Sequence, residues 1–357
     1  MTVDLLSCPP LAGTAPLPAG QLARLLHDAV PQLSLGLWTL EHAEALLTIP
    51  RGSQLFTSCS ATWTDHTTRE RTTRSLVVKQ DRKRTPRWAD HAARALAAAG
   101  MGPTSACRVA TPYGVSAPGV LVSERVQGLS LLATATAGQQ TGAAVRCGER
   151  LAAWILALQQ APTVFPTSLR RGLPDTAPQL VQIAAAVGTP DAGRSLAALA
   201  RMLDPHVLGP AQPAVPSHGD LHPANVFTVG SGVVAIDLDT VAAREPAYDV
   251  GYAVSHLVVS TYLAGAPLAA GLAAAGELWD TYRRGGGGAS DERIAVQSAR
   301  ALVQSLHFEL VTYATGRTDL LGLFSALAEA LLTAGRAGLD ELPAATTEHD
   351  LARAVGH

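Results

Sequence analysis

Lysine is almost missing from this 357-residue chain: of 27 basic residues, only Lys79 and Lys83 are lysines and the other 25 are arginines. Charge is scarce too, at 16% of residues, and nearly balanced, with a formal net charge of -2 and a pI near 6.6. A chain so neutral carries no electrostatic footprint for nucleic acid, and no Lys/Arg cluster in it is interleaved with aromatic rings. Cysteine is sparse: Cys8, Cys59, Cys107 and Cys147 are scattered with no C-x-x-C pair, so neither a disulfide framework nor a zinc site is suggested. No apolar run approaches the roughly 18 to 20 residues of a membrane span, and the N-terminus lacks the basic-then-apolar pattern of a leader. A cytoplasmic protein without a membrane is the expectation.

What remains is a chain 47% hydrophobic and long enough for two lobes, each with its own core. Residues 1 to 20 are rich in Pro, Ala and Gly and are expected to pack poorly. After a short amphipathic helix at Gln21 to Val30, the spacing predicts strands over Ala43 to Ile49, Leu55 to Trp63 and Ser75 to Gln80, with the polar tract Thr64 to Arg74 as a connection. Pro86 to Gly100 reads as a helix, with proline in its first turn and glycine at its end. Further strands are expected at Val109-Ala110 and Gly119 to Val126. This β-rich N-terminal lobe closes near residue 127, and 128 to 357 is mostly helical.

Arg146 to Gln160 places Leu151, Trp154, Ile155 and Leu158 on one helix face. Helices are also predicted at Gln179 to Val187, Gly193 to Leu203, Tyr248 to Leu263, Leu268 to Arg284, Asp291 to Ala314 and Leu320 to Ala337.

The densest chemistry lies in Ser217-His218-Gly219-Asp220-Leu221-His222-Pro223-Ala224-Asn225, followed by Asp237. Two apolar runs, Val226 to Val229 and Val233 to Ile236, flank Gly230-Ser231-Gly232 and read as a hairpin with a three-residue turn. A turn centred on Ser231 puts Asn225 opposite Asp237, with Asp220 on the preceding loop. Three oxygen-bearing side chains then converge. Such ligands suit Mg²⁺, with one carboxylate left over as a base. The His218-x-Asp220-x-His222 spacing also allows part of a metallohydrolase site, which would need further ligands nearby and would leave the hairpin unexplained. Lys79, at the end of the apolar run Leu76-Val77-Val78, is either a strand end turned to solvent or a compact charge kept for a phosphate.

An Asp and an Asn five residues apart on a loop, then an Asp closing a hairpin, is the arrangement of a kinase catalytic loop and its metal-binding aspartate. The segment His218 to Asn225, with Ile236-Asp237-Leu238-Asp239, resembles the aminoglycoside phosphotransferase and choline kinase-like family of small-molecule kinases. The resemblance covers roughly residues 45 to 260. It implies an α+β, bilobal protein-kinase-like fold with ATP or GTP between the lobes. Asp220 would be the catalytic base, Asn225 and Asp237 the Mg²⁺ ligands, and Lys79 the contact to the nucleotide phosphates. Backbone groups around Glu124 to Val126 would meet the purine edge.

His218 and His222 are expected to support the loop, Asp239 to stand behind the metal site or in solvent, and Asp249 to cap a helix or anchor the loop. The chain departs from the family in two places. Its helix Pro86 to Gly100 has no glutamate for the lysine, only Asp90. The turn before Leu55 carries one glycine, Gly52, so that phosphate contact would fall to Ser53 or to backbone amides.

The predicted helix at Tyr248 begins eleven residues after Asp237, which leaves no activation segment for docking a peptide. The acceptor is then a small molecule bearing a hydroxyl. From Thr240 to His357, 13 acidic residues face 8 arginines, a balance of -5 that fits a cationic acceptor or simply a solvated surface. His256, Glu309 and Tyr313 lie on helices that could line its pocket or merely pack. An antibiotic, choline, a sugar or an amino acid all remain compatible, as does a nucleotide-binding pseudokinase without turnover.

Overall fold

The computed structural model describes residues 16–51, 53–81, 86–116, 119–137, 141–166, 176–203 and 212–345. Gly52 and Lys83 lie outside the described residues, as does most of the stretch 1 to 20. Helices α1 (Ala19–Ala29) and α2 (Pro31–Ser34) lead into β1 (Trp38–Arg51), β2 (Gln54–Asp65) and β3 (Arg71–Asp81), followed by α3 (Arg87–Leu96). Four short strands come next: β4 (Cys107–Val109), β5 (Pro112–Ser116), β6 (Val120–Glu124) and β7 (Leu129–Ser130). The N-terminal part is an antiparallel five-stranded sheet in the order β1-β2-β3-β6-β5.

The two-residue period of the strands sorts their side chains. Leu76 and Val78 of β3, with Cys59, Ala61, Val120 and Val122, turn inward and pack with Leu22 and Leu26 of α1. Val77 and Lys79 therefore face the other way, beside Phe56 of β2 and Leu121 of β6, the strand partners of Lys79. The alternation that builds a core on one side of the sheet thus delivers the lysine to the opposite side. The polar tract Thr64 to Arg74 is a connection only at residues 66–70, and its two ends extend β2 and β3. Thr62 to Thr64 pair with Thr73 to Arg71, and Thr62 shares a hydroxyl bond of 2.9 Å with Thr73. β-Branched threonines suit a pleated, solvent-facing ribbon whatever their polarity.

The remainder is mostly helical: α4 (Leu131–Ala137), α5 (Thr141–Gln160), α6 (Thr176–Val187), α7 (Pro190–Met202), α8 (Ala247–Leu263), α9 (Leu268–Arg284), α10 (Asp291–His307), α11 (Asp319–Ala334) and α12 (Gly338–Ala345). Leu151, Trp154, Ile155 and Leu158 of α5 are fully buried, as their spacing predicts. Helix α8 is buried on nearly every side. At Gly251 a Cβ would stand 2.6 Å from Cβ of Gln297, so only glycine lets α10 approach this closely. The helical segment Asp319–Leu342 is long and apolar enough to cross a membrane by length and composition, a property that counting consecutive apolar residues passes over. Leu320, Leu323, Phe324, Leu327 and Leu331 bury its apolar face within the helical core.

Among these helices runs a small sheet in the order β4-β10-β9-β7, where β9 (Val226–Val229) and β10 (Gly232–Ala235) form the expected hairpin. Its turn has two residues, not three. Gly230 takes a positive φ of 58°, Gly232 already pairs with Val229, and the register moves by one. Asn225 consequently lies opposite Ile236, whose amide donates to the Asn225 carbonyl at 3.0 Å. A separate pair, β8 (Val215–Ser217) with β11 (Ala242–Arg244), brackets the catalytic-loop candidate.

Candidate active site

The loop after β8 is built on a buried carboxylate. Asp249, in the first turn of α8 and 1% exposed, accepts from the backbone amides of His218 at 2.6 Å and Gly219 at 2.9 Å. Of the two roles left open for Asp249, the geometry is that of a loop anchor. Gly219 needs its glycine: φ is 84°, and a Cβ there would lie 2.6 Å from Nη1 of Arg244 and 2.7 Å from the Thr240 carbonyl.

His218 is fully buried, and its Nε2 sits 2.9 Å from the Ile236 carbonyl. Because a carbonyl only accepts, Nε2 carries the proton, leaving Nδ1 to accept from the Asp220 amide at 3.3 Å. The ring thereby ties the loop to the segment that leads from β10 into Asp237. Both nitrogens are engaged, so the His-x-Asp-x-His metallohydrolase alternative lacks one of its ligands.

Asp220 points toward α8, where the Tyr252 hydroxyl donates to its Oδ1 at 2.7 Å. Burial alone would raise its pKa, but His222 and the hydrogen bond from Tyr252 outweigh it and hold the carboxyl below its usual range. It stands ionised and ready to accept a proton. Tyr252 was not singled out in the sequence. It follows Asp249 by three residues, which on a helix puts both on the face toward the loop, and that spacing is the signal that finds it. Its ring stacks on Tyr248 with centroids 6.5 Å apart and lies tilted by 33° against His256 at 4.3 Å. Burial first, then His222, pushes the His256 imidazole down to about 3, so it is neutral.

Asn225 donates its Nδ2 to the Asp220 carbonyl at 3.1 Å. Asp237 adopts a left-handed backbone, φ 62° and ψ 60°, a conformation open to few residues besides glycine. Both line one cleft with about 980 Å³ of empty volume, part of it open to solvent. Lys79, Glu124, Val126 and Asp239 line it as well, while Phe56, Val77, Leu121, Phe227 and Ile236 give it apolar walls. Ser53, at the β1–β2 turn, is not among the lining residues.

Lys79 is 6% exposed and does not turn to solvent. Its Nζ lies 3.0 Å from Oδ1 of Asp237 and closer still to Oδ2 of Asp239. Burial would lower the lysine pKa, but Asp237 and Asp239 outweigh it and raise it, so the ammonium is charged. Burial and the neighbouring Asp237 push the Asp239 carboxyl upward against the pull of Lys79, because one cation is shared between two acids. Asp90 is not involved: two bonds, of 2.9 and 3.1 Å, hold its carboxylate on Arg94.

On the opposite wall Glu124 forms a bidentate pair with Arg108, both bonds 2.7 Å, and its Oε2 accepts the Thr111 amide at 3.1 Å. Burial opposes ionisation of Glu124, but the Arg108 bonds prevail and lower its pKa. Its side chain is spent on fixing the strand, and the amides of Glu124 and Arg125 are taken by the carbonyls of Thr111 and Ser75 at 2.8 and 2.9 Å. His222 is buried 5.9 Å from the His256 ring. Glu309 is buried near the end of α10, and Tyr313 is exposed and stacked on Phe308.

Among the described residues no three His, Cys, Asp or Glu side chains are placed to hold a metal on their own. Two oxygen-bearing groups on one cleft wall, Asn225 and Asp237, do suit Mg²⁺, which takes one or two protein ligands and fills the rest with water and substrate phosphates.

A model of the phosphotransferase enzyme family matches residues 60–286. The chain belongs to that family. No curated protein sequence matches this phosphotransferase. Its fold is shared with a glucosamine kinase solved with glucosamine, ADP and inorganic phosphate (TM-score 0.56, 16% identity, covering 88% of this chain and 85% of that one). A thermostable mutant of aminoglycoside phosphotransferase APH(4)-Ia, solved with AMP-PNP and hygromycin B, is similar at TM-score 0.53 and 14% identity, over 82% of this chain and 94% of that one. A choline/ethanolamine kinase family protein from Mesorhizobium loti matches at TM-score 0.50 and 17% identity, over 90% and 98%. At such identities the likeness is one of fold, and it makes the phosphotransferase kinase-like, with an antiparallel sheet in the N-terminal part and helices beyond.

Proposed function

We propose that this phosphotransferase moves the γ-phosphate of ATP or GTP to a hydroxyl of a small molecule. The observation that carries the reading is the cleft where Lys79 meets Asp237 and Asp239 beside Asn225, one loop away from an Asp220 kept ionised. Residues 1–127 would form the nucleotide-binding lobe and 128–357 the lobe that holds the base and the acceptor.

The purine would lie between the apolar walls against the backbone of Glu124 to Val126, with Lys79 reaching its phosphates. Asn225 and Asp237 would hold Mg²⁺, which when bound supplies positive charge to the transferring phosphoryl group. Asp220 Oδ1 is occupied by Tyr252, so Oδ2 would take the acceptor proton as the new P–O bond forms and the bond from the γ-phosphorus to the bridging oxygen breaks, releasing ADP or GDP. The acceptor would be a neutral or cationic alcohol such as an aminoglycoside-like antibiotic, an amino alcohol or a sugar, and the enzyme would work in the cytoplasm.

The test is a nucleotide-consumption screen across antibiotic, sugar and amino-alcohol acceptors, run with ATP and with GTP. Turnover with one acceptor class, lost in Asp220→Ala while nucleotide still binds, supports the reading. Full turnover in Asp220→Ala removes the base. Nucleotide binding without transfer to any acceptor leaves a binding protein in place of an enzyme.

A further inference from the structure

We propose that Asp239, and not an acid on helix α3, holds Lys79 in position for the nucleotide phosphates. The inference rests on the kinase reading of the cleft and deepens it.

Helix α3 lies against the segment that carries Asp239: Nε1 of Trp88 donates to the Val241 carbonyl at 2.9 Å. It is thus close enough to supply a partner, yet the residues it presents to the cleft, one turn apart, are Ala89 and Ala93. Its sole acid, Asp90, is closed on Arg94. A lysine as buried as Lys79 must be paired. The pairing comes from the single 3-10 turn Leu238–Thr240, reached by Asp239 Oδ2 and, at 3.0 Å, by Asp237 Oδ1.

That turn is rigid. The Val241 amide closes it on the Leu238 carbonyl at 3.3 Å, and the Thr240 hydroxyl donates to the His218 carbonyl at 2.8 Å. In the proposed reaction Asp237 is also wanted by the cation, so the carboxylate that can stay with the lysine throughout is Asp239. Asp239 is therefore a positioning residue. The functional consequence is regulatory: the lysine is clamped between β3 and the segment after β10, so swinging α3 does not assemble or dismantle the site. In kinases whose lysine is paired from a mobile helix, that swing is the on-off control.

Two measurements on the full chain test this. With only two lysines in the protein, ¹⁵N-lysine labelling yields two side-chain ammonium signals. A protected Lys79 signal, assigned with Lys79→Arg, is expected in the ligand-free protein and in Asp90→Asn, and should be lost in Asp239→Asn. Its persistence in Asp239→Asn overturns the proposal.

The second is calorimetric binding of ADP with Mg²⁺ and with EDTA. Asp239→Asn is expected to weaken binding about tenfold in both, as Lys79→Ala does, with the double variant no weaker than the worse single. Adding Ala93→Glu to Asp239→Asn, which returns an acid from the helix side, should recover affinity. A loss seen only with Mg²⁺ makes Asp239 a metal ligand instead, and additive losses make it independent of Lys79; either overturns the proposal. A wild-type chain that binds no ADP in either condition sinks the cleft reading itself, an outcome distinct from both.

Discussion

The hydroxyl of Tyr252 donates to Oδ1 of Asp220 across 2.7 Å, tying the candidate base to the core of the helical region. Burial, and then the Asp220 charge, in turn hold the Tyr252 pKa well above its ordinary value, so the phenol stays a donor at any working pH. Tyr252→Phe deletes a hydrogen bond to a charged group and should lower turnover about tenfold. The base must be ionised, so the rate falls as pH drops through its pKa. Removing the donor raises that pKa, and the acid limb of kcat/KM should begin at higher pH than in the wild type. A pH–rate profile checks it; superimposable acid limbs would remove Tyr252 from the description of the base.

His256 should make the protein sensitive to acid. Its imidazole is held neutral down to about 3 by burial and by His222, whereas an unfolded chain takes up that proton near 6.5. Below 6.5 the unfolded state binds more protons, so stability declines as pH falls toward 3. At pH 5 the loss is at most about 2 kcal/mol from this one group. Urea denaturation at pH 7.5 and pH 5 should show a smaller gap in His256→Gln than in the wild type. An unchanged gap would assign the sensitivity elsewhere.

Asp249→Ala should cost stability as well as activity, because the amides of His218 and Gly219 lose their shared acceptor. Two unsatisfied buried donors cost about 2–4 kcal/mol. Asp249→Asn keeps one acceptor oxygen and should fall between, read from denaturant midpoints. Equal midpoints for all three proteins would mean that the loop does not depend on this anchor.

Gly219→Ala and Gly230→Ala form a contrasting pair. Both glycines have positive φ, but only the Cβ at 219 meets other atoms within 4 Å. Gly219→Ala must push the loop aside and should reduce kcat about 100-fold by displacing Asp220. ADP affinity should fall far less than kcat, since the clash reaches the Lys79 site only through Thr240. Gly230→Ala should cost about 1 kcal/mol of stability and leave kcat alone. Steady-state kinetics on the two variants decides it, and similar kcat values would show that crowding at 219 is relieved without moving the base.

Much of this architecture was legible because it rests on local patterns. The α9 boundaries, the buried face of α5 and the β9–β10 hairpin follow from periodicity and from glycine at the turn. The Asp220, Asn225 and Asp237 motif was visible for the same reason, since all three lie within 18 residues. What escaped depends on long-range geometry or on a single residue. The hairpin register slipped by one because Gly232 looks like turn and pairs like strand. The partner of Lys79 sits 160 positions away, on a turn whose approach no local pattern announces. Tyr252 lies in a helix so apolar that nothing in the sequence singled out its hydroxyl. The strand ends Thr64-Asp65 and Arg71 to Arg74 were hidden by polarity, because an exposed ribbon lacks the hydrophobic half of the alternation.

The left-handed backbone at Asp237 limits what evolution or an engineer can place there. Glycine, asparagine and aspartate tolerate that conformation, and most other side chains strain it by about 1–2 kcal/mol. Of those three only aspartate brings a negative charge. Asparagine is therefore the substitution that separates the two demands, keeping the chain's course while removing the charge, whereas glutamate keeps the charge and contests the bend. One position thus holds a shape requirement and a charge requirement whose lists of allowed residues overlap at a single amino acid.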